Sequence, residues 1–129
     1  MNFGKDEETT TPTEAQLSRC QVEMYLNPSI NIVPLGYKLE GSGIDDAIWF
    51  KFETDASSLQ EIFDRNVVDT STFKNGFVLT DGINASKWWD VENKEVLGGQ
   101  VELPNARFMN IGIEKNDDGY QVYIMWHET

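Results

Sequence analysis

Apolar and polar residues alternate most regularly near the C-terminus. Over Arg107–Lys115, Met109, Ile111 and Ile113 fall on one face, and over Tyr120–His127 the face holds Tyr120, Val122, Ile124 and Trp126. Asn116-Asp117-Asp118-Gly119 stands between the two runs and predicts a hairpin turn. A second alternating run covers residues 46–53. There Ile48, Phe50 and Phe52 form a wholly apolar face, opposite a mixed one of Ala47, Trp49 and Lys51. It follows an extended segment at 30–40, broken at Pro34-Leu35-Gly36, with Gly41-Ser42-Gly43 as the intervening turn.

Helical spacing occurs twice. Leu17, Cys20 and Met24 predict a helix over 12–26. Thr11 is read as its N-cap, Pro12 as its first residue, Glu14 as the partner in a capping box and Asn27-Pro28 as its stop. Leu59, Ile62 and Phe63 predict a shorter helix over 56–65, capped by Asp55. Residues 70–100 are the least periodic, with a candidate strand at Phe77-Val78-Leu79 and Gly98-Gly99 read as a turn. Residues 1–10 are acidic and aperiodic and read as a disordered tail. The expected architecture is one α+β domain over 11–129: a single antiparallel sheet of four to six strands with two helices on one face.

Charge narrows the function classes. The 129 residues carry 22 acids against 10 bases, a net charge of −12, and the excess persists without residues 1–14. That field repels phosphate backbones and anionic lipid surfaces, so nucleic-acid and membrane partners are not expected, whereas a basic protein partner or a cation is favoured. Plain solubility is the simplest use of the same charge. No run approaches the roughly 20 apolar residues that span a bilayer. The N-terminus as given carries no signal segment, which fits a cytoplasmic protein, or a periplasmic or lipid-anchored one whose leader has been trimmed.

The residues that support familiar chemistries are few. One histidine, His127, and one cysteine, Cys20, cannot build a typical zinc site, and Cys20 falls on the apolar stripe of a predicted helix, where a structural thiol is expected. There is no Gly-x-Ser-x-Gly elbow and no phosphate-cradling glycine loop, so no cofactor is expected. Asn84-Ala85-Ser86 matches a glycosylation sequon by three residues alone. Two aromatic–acid groups remain: Asp45-Asp46 leading into Trp49, and Trp88-Trp89-Asp90. They form the candidate ligand-binding set Asp45, Asp46, Trp49, Trp88, Trp89 and Asp90.

Three readings of that set are open. In a non-enzymatic binding module, acidic groups attract a basic partner and flat rings supply contact area, as in small toxin-neutralising immunity proteins. In a carboxylate enzyme or carbohydrate-binding protein, Asp45, Asp46, Asp81 and Asp90 would converge across a groove and the tryptophans stack on sugar rings. In a purely structural, envelope-associated protein, Trp88 and Trp89 simply pin a loop to the sheet.

The glycine-rich, Asp-bearing turn before the 46–53 strand, followed by Trp88-Trp89-Asp90 and the Tyr123–Trp126 strand, resembles a loose group of small uncharacterised bacterial proteins. The resemblance covers residues 36–126. Members often look exported or lipid-anchored, and the group implies no catalytic residue.

Overall fold

A computed structural model describes residues 6–41, 45–79 and 86–128. In chain order the elements are β1 (Glu7–Thr9), α1 (Glu14–Glu23), β2 (Ile32–Gly41), β3 (Asp46–Thr54), β4 (Lys74–Val78), β5 (Glu95–Leu103), β6 (Arg107–Asn116) and β7 (Gly119–Glu128), with two 3₁₀ turns at Leu59–Glu61 and Thr70–Thr72. All seven strands form one antiparallel sheet in the order β1-β2-β3-β7-β6-β5-β4. The expected fold class is corrected on both counts. The sheet exceeds six strands, and among the described residues there is one α-helix, so the protein is mostly β.

Each correction is traced to specific contacts. Glu7–Thr9, expected in the tail, pairs with Tyr37–Leu39 of β2. It is held there by Gln16 Nε2 donating to Glu7 Oε1 at 3.0 Å and by contacts of Glu8 described below. The segment expected to be a second helix does bury Ile62 and Phe63. It forms only a 3₁₀ turn, in which Glu61 accepts from both the N–H and the hydroxyl of Ser57, and Phe63 leaves it to bridge to Leu26. Gly98-Gly99 lies inside β5 rather than at a turn.

The helix, Glu14–Glu23, is two residues shorter at its start and three at its end than its spacing suggests. Thr13, not Thr11, is the N-cap, and Gln16, not Glu14, completes the capping box: Thr13 Oγ1 accepts from Gln16 N–H at 3.2 Å, and Gln16 Oε1 from Thr13 N–H at 2.9 Å. At the other end Leu26 N–H donates to Gln21 and Tyr25 N–H to Val22, which places Tyr25 at a left-handed position with φ +54°. Among the described residues no helix is long and apolar enough to cross a membrane.

The sheet buries both faces. Ile48, Phe50, Phe52, Met109, Ile111, Ile113, Val122, Ile124 and Trp126 pack under α1, through Cys20 and Met24, and under residues 56–73. On the opposite face Trp49, Tyr123, Met125 and Val96 are covered by Leu79, Trp89 and Val91. The second core explains why the strands read as alternating yet are buried on both sides.

Candidate functional site

Strand parity divides the candidate residues. Asp46 shares a face with Ile48, Phe50 and Phe52, the helix face. There Arg19 Nη2 of α1 donates to Asp46 Oδ2 at 2.8 Å, and Asp46 N–H donates to Glu128 Oε1 at 3.0 Å. Trp49 stands on the opposite face in the second core, 5% exposed. Asp45 is exposed just before β3, after a turn whose residues 42–44 lie outside the described ones. The structure therefore brings Trp49 together with Trp88, Trp89 and Asp90, and sets Asp46 across the sheet from them.

The turn at 86–91 is pinned to the opposite face by four devices. The Trp88 indole lies flat on Gly36, where any Cβ would collide with its ring. Trp89, 4% exposed, meets Tyr123 edge-on at 5.6 Å between centroids and Trp88 likewise at 6.1 Å. Glu8 Oε2 then accepts from both Ser86 Oγ (2.5 Å) and Trp88 Nε1 (3.2 Å), joining the turn to β1. The Ser86 hydroxyl, with smaller contributions from Trp88 and Lys38, holds the Glu8 carboxyl below its ordinary range.

The fourth device involves Lys51 and Tyr123, which the sequence does not single out as functional. Asp90 Oδ1 accepts from Lys51 Nζ at 3.0 Å and from the Tyr123 hydroxyl at 2.7 Å, and Gln121 Nε2 donates to the same hydroxyl at 2.6 Å. Lys51 is 8% exposed, and its ammonium also stands 5.1 Å from the Tyr123 ring centroid. The signal for this pairing was the mixed face itself, since a lysine alternating with tryptophan on a sheet face needs a counter-charge once that face is covered. Burial pushes the Asp90 carboxyl up, but the Tyr123 hydroxyl and the Lys51 ammonium outweigh it and hold the carboxyl below its usual value.

That direction fixes a pH dependence. A carboxyl depressed in the folded state stabilises the fold above the unfolded-state value, and the contribution is lost as pH falls through the folded value. Unfolding free energy is expected to decline as pH falls through and below the ordinary carboxylate range, and Asp90→Asn should flatten part of that decline. Chemical denaturation across the range checks it; an unchanged slope in the variant would assign the pH response to other carboxyls.

The other reactive groups are occupied structurally. Cys20 is fully buried, and burial pushes its thiol up to about 12. His127 stacks on Phe108 with centroids 5.5 Å apart. Among the described residues no group of three or more His, Cys, Asp or Glu side chains is arranged to hold a metal ion. Asp81, named for a cation or carboxylate pair, lies outside the described residues, as do Asn84 and Ala85 of the sequon. Comparison with protein-family models, with curated proteins and with solved structures finds no match.

Proposed function

We propose that the protein is a non-enzymatic interaction module for a basic protein partner, in the manner of a small immunity protein. The observation that carries this reading is the unneutralised charge. Against a net −12, the cations Arg19, Lys38, Lys51, Lys94 and Arg107 are each taken up by the protein's own carboxylates. Among the other described carboxylates, Asp55, Asp64, Glu95, Glu102, Asp117 and Asp118 are exposed and act at long range on a cationic partner.

The placement of the reactive groups supports the same reading. Asp46 and Asp90 occupy opposite faces and cannot flank one substrate, and Trp49 and Trp89 are too buried to stack on a sugar. That burial also favours a second reading, a purely structural role in which the aromatic cluster serves only the fold.

Association kinetics separate the two readings. Against a lysine–leucine amphipathic peptide as probe, the association rate constant should fall at least about tenfold between about 10 mM and about 150 mM salt. A salt-independent rate, or no binding at low salt, would remove the proposed function and leave the structural one.

A further inference from the structure

β1 is the shortest of the seven strands and the least supported by packing. It pairs with Tyr37–Leu39 alone, although β2 runs from Ile32 to Gly41. Its sequence is Glu-Glu-Thr, and among the described residues neither hydrophobic core draws a side chain from it. A strand that buries no apolar side chain belongs to the least stable part of a fold.

Polar contacts hold it on both faces of the sheet. On the helix face Glu7 accepts from Gln16, and at the strand's start Asp6 Oδ1 accepts from Gly41 N–H at 3.3 Å. On the opposite face Glu8 meets three donors. Ser86 Oγ and Trp88 Nε1 share its Oε2, and Lys38 Nζ stands 3.9 Å from its Oε1. Ser86 is only 6% exposed, so its hydroxyl and the Trp88 indole N–H lose one acceptor together if the strand lifts. The rest of the turn is anchored without β1, Trp89 by the Tyr123 ring and Asp90 by Lys51 and the Tyr123 hydroxyl.

We infer that β1 is a strap that lifts off β2 as a unit while the sheet from β2 to β4 stays paired. Its release frees Ser86 and Trp88 and bares the β2 edge at Tyr37–Leu39; Glu8 couples the strand to the turn. The strap covers the regular part of that edge. Residues 32–36 carry Pro34 and the register shift, which blunt an edge against foreign strands unaided. Anything that pairs with the bared edge therefore draws the population toward the open form.

The test is hydrogen–deuterium exchange of the full chain, followed by NMR at backbone amides and tryptophan indoles. In the wild type, residues 7–9 and the Trp88 indole should exchange at least about 100-fold faster than Val122–Trp126. Glu8→Ala should speed exchange at residues 7–9 a further tenfold or so and leave Val122–Trp126 and the Trp89 indole within about twofold. Glu7→Ala tests the coupling, because Glu7 bonds to Gln16 and not to the turn. It should speed exchange of the Trp88 indole about threefold. Residues 7–9 as protected as β7 would show that β1 opens only with the whole sheet and would overturn the inference. So would a Glu7→Ala variant whose Trp88 indole exchanges at the wild-type rate, since strand and turn would then open separately.

Discussion

Gly98→Ala is expected to destabilise the protein by about 3 kcal/mol, at or beyond the upper end of ordinary overpacking costs. Gly98 in β5 faces Gly112 in β6, and a Cβ built on it would run into the backbone carbonyl of Ile111 and stand 2.9 Å from Phe77 Cδ2. The first obstacle is backbone of the neighbouring strand and cannot swing aside, so the ladder between β5 and β6 would have to part locally. Gly112→Ala is the internal comparison. Its Cβ would meet Leu79 Cδ1 at 2.7 Å and Val96 Cγ2 at 2.9 Å, both ends of flexible side chains, and a cost of about 1–2 kcal/mol is expected. Urea denaturation of the two variants measures the difference. A Gly98→Ala cost below about 1 kcal/mol would show that β5 does not approach β6 as described.

Gly98 also shows why part of the fold was hidden in the sequence. A glycine pair ordinarily punctuates a chain, and Gly98-Gly99 reads as a turn by that rule. Here Gly98 is selected for its missing side chain, a tertiary requirement that no local window contains. The same holds for Glu7–Thr9, whose strand depends on nearby Gln16 and, far along the chain, on Ser86 and Trp88. The spacing of Leu59, Ile62 and Phe63 correctly marked buried side chains, but burial alone does not distinguish a helix from an anchored turn. What was legible is what local alternation determines: the β6–β7 hairpin, β3, the body of α1 and the irregularity at Pro34/Gly36, which is a register shift in β2.

For the candidate residues the parity of β3 already separated Asp46 from Trp49, and following it would have divided the set at once. The meeting of Trp49 with Trp89, and of Lys51 and Tyr123 with Asp90, joins elements with no regular spacing between them. Sequence patterns carry no such information.

Trp89→Ala should have the second large effect, a loss of about 3–5 kcal/mol, because it empties the centre of the second core between Tyr123 and Trp88. Trp88→Ala removes a half-buried ring and one hydrogen bond to Glu8, and about 1–2 kcal/mol is expected. Thermal or urea unfolding checks both. A Trp89→Ala variant as stable as the wild type would mean that the 86–91 turn contributes nothing to the fold.

If the aromatic cluster serves the fold and the exposed carboxylates serve recognition, the two roles can be mutated apart. The deciding measurement is the affinity of the lysine–leucine peptide for Trp88→Ala beside that for Asp55→Lys/Asp118→Lys, both taken below their unfolding transitions. Trp88→Ala should bind within about twofold of the wild type, while the charge-reversed variant binds about tenfold more weakly. Weak binding by Trp88→Ala together with unchanged binding by Asp55→Lys/Asp118→Lys would return recognition to the aromatic face and contradict the division of roles.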